Sequence, residues 1–136
     1  MIDRRYLLEQ VDDAAVVQLY ADGFSRLPLR EKTLVWHLYQ AAIAGRDIYY
    51  DQRHRNALEM RDVLEAVVSH PQGIDGAALD EIRRYTKLFW VNTGPYNNLT
   101  ARKFVLNLPP DVFATGVKKA VSNGASIRSA AGETVD

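Results

Sequence analysis

Met60-Arg61-Asp62-Val63-Leu64-Glu65-Ala66-Val67-Val68 has the clearest period in this sequence. Met60, Val63, Leu64, Val67 and Val68 fall at i, i+3, i+4, i+7 and i+8, the spacing of one face of an α-helix. The pattern predicts a helix over about residues 54–69, stopped by His70-Pro71-Gln72-Gly73. Burying such side chains is worth about 1.5–3 kcal/mol each, so this helix needs neighbours. Downstream, Asp75 suits the N-cap of a helix over about 77–91, with Leu79, Ile82, Tyr85 and Phe89 on one face. Pro109-Pro110 opens a last helix carrying Phe113, Val117, Ala120 and Val121, and Asn123-Gly124 ends it. Upstream, Pro28 fits the first turn of a long helix. Its Leu34, Val35, Leu38, Ala42 and Gly45 stripe is widened by Trp36, Tyr39 and Ile43, so cover on more than one side is expected. Asp47-Ile48-Tyr49-Tyr50-Asp51-Gln52 is expected to close it. Residues 1–13 read as a helical turn or two ending near Asp12-Asp13. Residues 14–20 lean towards a strand, which then needs a partner from Phe104–Leu106 or from another copy. The fold class is mainly α: a helical bundle-like segment with one or two short strands. Residues 125–136, small and polar, are expected to be a flexible tail.

A chain of 136 residues is the size of one ordinary domain. Seventeen Lys and Arg balance seventeen Asp and Glu, which speaks against a dedicated nucleic-acid binder. The absence of cysteine removes disulfides, a cysteine nucleophile and a thiolate zinc site. No apolar run is long enough for a membrane span, and Met1-Ile2-Asp3-Arg4-Arg5 leads into no signal-peptide core, so a cytoplasmic protein is expected.

The residues with catalytic potential form no recognisable centre. None of His37, His54 and His70 is followed by Glu, so no zincin pattern begins. His37 suits packing or surface hydrogen bonding, His54 lies in a charged cluster, and His70 sits at a helix end. There is no Gly-x-Ser-x-Gly elbow, Walker loop or Gly-x-Gly-x-x-Gly. The acidic pairs Asp12-Asp13 and Asp80-Glu81 read as caps and helix-start charges. The basic pairs Arg4-Arg5, Arg83-Arg84 and Lys118-Lys119 read as solvated faces. Asn98-Leu99-Thr100 matches a glycosylation acceptor, a chance match in a chain with no secretory signal.

One stretch differs in kind: Asn92-Thr-Gly-Pro-Tyr96-Asn-Asn-Leu-Thr-Ala-Arg-Lys103-Phe-Val-Leu-Asn107-Leu-Pro109. Gly, Pro and three Asn within seven residues make a structured loop, followed by a short extended segment at Phe104–Leu106. Asn side chains and exposed backbone supply paired donors and acceptors for a peptide or ligand, or else satisfy the turn itself. The pattern Asn-x-Gly-x-Tyr, then Lys-Phe-Val-x-Asn-Leu-Pro, resembles the N-terminal part of dipeptidyl peptidase III enzymes, the M49 zinc metallopeptidases. A second segment, Leu38-Tyr-Gln-Ala-Ala-Ile-Ala-Gly-Arg46-Asp47-Ile48 followed by Asp51-Gln52, resembles the long helix of the bacterial branch. Gly23-Phe24, Leu27 and Leu34 fit the same register, and the likeness runs from about residue 14 to 113.

The resemblance implies a two-lobed α+β parent that removes dipeptides from the N-terminus of oligopeptides. Its zinc is held by a His-Glu-x-x-Gly-His helix and a second glutamate-bearing helix, neither of which occurs in these residues. Residues 1–124 then correspond to the non-catalytic lobe, with zinc and the catalytic lobe supplied by absent segments. This chain alone is expected to hold no cofactor and to cleave nothing. By position, Asn92, Gly94, Tyr96, Asn98, Leu99 and Thr100 fall on the wall of the substrate cleft, and Lys103, Phe104 and Asn107 support that loop. Leu99 and Thr100 occupy the positions where, in some members of the family, an aromatic and a glycine touch substrate, and the chain departs from them there. Arg46 and Asp47 are placed as a charge pair behind the loop. The implied partners are the oligopeptide and the catalytic lobe, with no nucleic acid or membrane. Self-association is expected through apolar surface that the absent segments would cover. The alternative is a free-standing helical module that binds a protein partner and has no enzymatic activity.

Overall fold

Asp12 and Asp13 turn the chain back on itself, with Asp12 at a φ of 52°, a conformation that Asp adopts more readily than most residues. The turn joins β1 (Leu7–Val11) to β2 (Ala14–Val17) in an antiparallel pair, with Val11 opposite Ala14 and Leu7 opposite Val17. The computed structural model describes residues 4–127. Residues 7–11 are therefore a strand and not the expected helical turns, and β2 finds its partner there and not in Phe104–Leu106 or another copy. The physical reason is local: a two-residue turn brings β-branched Val16 and Val17 directly onto the preceding segment. The register shifts between Leu7 and Glu9. Tyr20 packs edge-on against Tyr6 at 5.4 Å, and the Arg4 guanidinium lies 4.8 Å above the Tyr20 ring.

After a 3-10 turn at Asp22–Arg26, helix α1 runs from Leu29 to Ala44. Pro28 sits at its N-cap, where the missing N–H costs nothing. The expectation that α1 is covered on several sides fails, because none of its residues is buried. Leu34, Trp36, Leu38 and Tyr39 are each at least 57% exposed. The segment expected to close α1 forms its own helix, α2 (Arg46–Arg53), after Gly45. Gly45 donates its N–H to Ala41 and accepts from Ile48, so the chain re-enters helix with almost no gap.

The chain divides into two compact units, Met1–Ile48 and Tyr49–Asp136, with the division inside α2. The second unit is built on α3 (Ala57–Ser69), α4 (Gly76–Asn92) and α5 (Pro110–Ser122), which pack on one another pairwise. All three follow the periodic stretches of the sequence. Leu79, Ile82, Tyr85 and Phe89 are all buried on α4, and Leu64 and Val67 on α3. The Asp75 carboxylate accepts from the Ala78 N–H at 3.0 Å, the N-cap bond its position predicts. On α5, buried Gly116 faces Ile82 and Ile74, which a Cβ there would meet at ordinary contact distances of 3.8 and 3.9 Å.

The end of α5 is tied to the turn after α3. Asn123 Nδ2 donates to the Gln72 carbonyl at 2.9 Å, and the Lys119 ammonium donates to the Gly73 carbonyl. Packing continues past Gly124, since Ala125 and Ile127 are both buried. The remainder of the expected tail, residues 128–136, lies outside the described residues. Among the described residues no helix is long and apolar enough to cross a membrane.

Candidate functional site

Helix α4 ends at Asn92 because Thr93 turns left-handed, with φ 52° and ψ 38°. The Gly94 N–H then donates back to the Phe89 carbonyl at 2.9 Å. Gly94 takes a φ of 150°, which L side chains rarely adopt, and a Cβ there would also lie a tight 3.2 Å from the Cβ of Arg53. From here the chain forms a small hairpin. Tyr96 and Lys103 bridge antiparallel, and Phe104 donates its N–H to the Pro95 carbonyl at 2.9 Å. Pro95 and Phe104 are buried, so the base of the hairpin belongs to the core of the second unit.

The asparagines divide the work of the turn. Asn92 is buried; its Nδ2 donates to the Leu88 carbonyl at 2.9 Å and its Oδ1 accepts from the Asn98 N–H at 3.0 Å. Asn97 Oδ1 accepts from the Leu99 and Thr100 N–H groups at 2.9 and 3.0 Å, an Asx-type closure of the tip. Thr100 Oγ1 accepts from the Arg102 N–H, and the Ala101 N–H donates to the Asn97 carbonyl. Ala101 takes a positive φ of 57° to close this turn. The outer residues are Asn98, Leu99 and Thr100, all exposed, with Leu99 at 95%.

Six sequence-predicted positions thus split into two layers. Asn92 and Gly94 are buried parts of the support. Tyr96 is half-buried, 6.2 Å from the His54 ring. Asn98, Leu99 and Thr100 form the accessible tip. Of the residues assigned to support, Phe104 is buried, Lys103 is exposed and acts through its main-chain bridge, and Asn107 acts through its backbone N–H. Arg46 and Asp47 do form an ion pair, at 3.5 Å, but both are exposed and belong to the first unit, whereas the loop belongs to the second.

Two residues that hold the loop escape the sequence reading. Arg84 donates to both carboxylate oxygens of Glu81 at 2.7 Å, and its Nη2 also reaches the Val105 carbonyl at 3.2 Å. Glu81 Oε1 in turn accepts from the Asn107 N–H at 2.7 Å. The pair clamps residues 105–107 onto α4. Neither side chain is a freely solvated surface charge: they are 17% and 25% exposed. Their i, i+3 spacing on a predicted helix was the available signal.

The Arg84 guanidinium holds the Glu81 carboxyl below its ordinary value of 4.5, with the Asn107 N–H adding to the effect against the opposing cost of burial. Because the folded state holds this proton less tightly than the unfolded state, the clamp contributes fully above the ordinary value. Its contribution is lost as pH falls through the lowered value. Urea unfolding of wild type and Glu81→Gln from pH 7 down to pH 3 reads this directly. The variant is expected to start less stable at pH 7 and to converge on wild type in acid. A constant difference across that range would show that the Glu81 charge does not act through this clamp.

Among the described residues no three His, Cys, Asp or Glu side chains come together as metal ligands. His54 Nδ1 accepts from the Asn56 N–H at 3.2 Å, and His70 Nδ1 lies 3.2 Å from the Ala66 carbonyl at the end of α3. His37 packs edge-on to Trp36 at 4.9 Å. The site offers a small hairpin closed by side-chain-to-backbone hydrogen bonds, with a polar and aliphatic tip. No protein-family model and no curated protein matches this sequence.

Proposed function

We propose that the chain is a non-catalytic, substrate-positioning portion of a dipeptidyl peptidase III-like zinc metallopeptidase. The observation that carries this reading is the division within the 92–107 hairpin. The residues of the family-like pattern that are buried or bridged lock the hairpin onto α4, and residues 98–100 stand outward. The N–H groups of residues 98–100 are already bonded within the loop, so a peptide laid along this tip would meet the exposed side chains of Asn98, Leu99 and Thr100. Contacts of this kind would hold an extended chain in place, and fixed placement lowers the barrier to reaction. The chemistry lies elsewhere in the parent: zinc polarises the carbonyl and activates water.

The reading predicts that the 136-residue chain alone releases no dipeptide and binds no zinc stoichiometrically. In the parent protein, Leu99→Ala and Thr100→Ala are expected to raise KM severalfold with zinc content and fold unchanged. One tightly bound zinc per chain by metal analysis, together with hydrolysis by the chain alone, would overturn it. A second reading is a free-standing helical module that binds a protein partner, favoured by the exposed apolar residues of α1. The downstream coding sequence separates the two: a His-Glu-x-x-Gly-His helix supports the first, and a stop codon after Asp136 supports the second.

A further inference from the structure

A pocket of about 430 Å³ opens on the second unit between α3, α4, α5 and Leu106. Its wall is almost wholly apolar, formed by Met60, Val63, Tyr85, Leu106 and Phe113 among others. The volume lies in the range of small-molecule sites. The one ionisable carboxylate in the wall is Glu59.

Glu59 stands in the first turn of α3, three residues after the N-cap Asn56. Asn-x-x-Glu at this spacing is the arrangement in which the glutamate reaches back to the N-cap N–H. That bond is not made here. The Asn56 N–H donates to His54 Nδ1 instead, and Asn56 makes no side-chain cap. Glu59 Oε2 is buried and has no hydrogen-bond partner. Glu59 is half-buried, and its sheltered Oε2 lacks a donor, so a cation brought beside it would supply the hydrogen bond that this oxygen does not make.

We propose that this pocket binds a small amphipathic organic cation, an ammonium on an aromatic or branched alkyl body, with Glu59 as the counter-charge. The body fills the space between Met60, Val63, Leu106 and Phe113, and the ammonium lies at the Glu59 carboxylate. Apolar burial supplies affinity and the single carboxylate supplies the choice of charge. An anion of the same shape is disfavoured because it would face the Glu59 carboxylate in a wall that holds no cationic side chain. The inference is independent of the peptidase reading, since it uses no residue of the 92–100 loop.

The test titrates the full chain at pH 7 with three ligands of one shape: 2-phenylethylamine, 2-phenylethanol and 3-phenylpropionate. Binding is followed by calorimetry and by the NMR shifts of the Met60 methyl and the Glu59 carboxyl carbon. The amine is expected to bind about tenfold or more tighter than the alcohol, as a charge-assisted contact allows, and the anion weakest. Glu59→Gln is expected to bring the amine down to the alcohol while leaving the alcohol unchanged. Equal affinity of amine and alcohol in wild type, no binding of any of the three, or an amine preference that survives Glu59→Gln would each overturn the proposal. Should Glu59→Gln fail to fold, the wild-type ranking together with the Glu59 carboxyl shift on adding amine decides it. A preference without that shift counts against Glu59 as the partner.

Discussion

Phe89→Ala is expected to cost the second unit about 3–5 kcal/mol, a large part of the roughly 5–15 kcal/mol that holds a typical domain together. Phe89 is 1% exposed. Its ring stacks on Tyr50 at 5.8 Å and packs against Tyr85 at 6.2 Å, so α2 and the middle of α4 both lean on it. Removing the ring leaves a cavity bounded by rigid aromatics, which collapse poorly into it. The residue also couples core to site, because its carbonyl accepts the Gly94 N–H that starts the hairpin. Urea unfolding followed by far-UV circular dichroism measures the loss. Proteolysis at the hairpin tip should accelerate in parallel, since the loop is seated on the element that loosens. A loss below about 1 kcal/mol would mean that this aromatic cluster is not the centre of the unit, against the usual cost of truncating a buried aromatic.

How much of this was legible in the sequence depends on the range of the forces involved. Helices α3, α4 and α5 were readable because their apolar period, caps and stops are all local, and Asp75 and Asn123-Gly124 act where their positions predict. Residues 7–11 misled because Tyr6, Leu7, Leu8 and Val11 fit one face of a short helix equally well. Only pairing with the next segment decided for a strand, and pairing is not visible in a single apolar run. α2 was hidden because eight residues of mostly polar character give too few periods to distinguish a helix from a helix end. Within the candidate site, the Asn, Gly and Pro content announced a structured turn. Which Asn is structural and which is accessible did not follow from composition. Asn92 and Asn97 bond backbone within six residues of themselves, yet only the fold places Asn92 in the core and Asn98 outside. The Glu81–Arg84 clamp spans more than twenty residues to Val105 and Asn107, so its target was beyond any local rule. In α1 the apolar excess was visible, but a wide apolar stripe does not say what covers it, and no residue of this helix is buried.

Asn92→Ala and Leu99→Ala should separate scaffold from contact surface within the same loop. Asn92→Ala removes a donor to the Leu88 carbonyl and the acceptor for the Asn98 N–H, both in a buried setting. The expected cost is about 1–3 kcal/mol, because unmade buried hydrogen bonds are not repaid by water. Leu99→Ala should stay within about 0.5 kcal/mol of wild type, since a side chain left in water by folding has little to lose. Asn92→Asp refines the test. It keeps an oxygen for the Asn98 N–H but sets a second oxygen against the Leu88 carbonyl and brings charge into the core, so it should be no better than alanine. Thermal unfolding of the three variants gives the ranking. If Asn92→Asp recovered wild-type stability, the Nδ2 donation to Leu88 would be dispensable and the hairpin would be held by the Asn98 bond alone. If Leu99→Ala were as costly as Asn92→Ala, the tip would be packed in solution, and residues 98–100 would lose the accessibility that a peptide-contacting role requires.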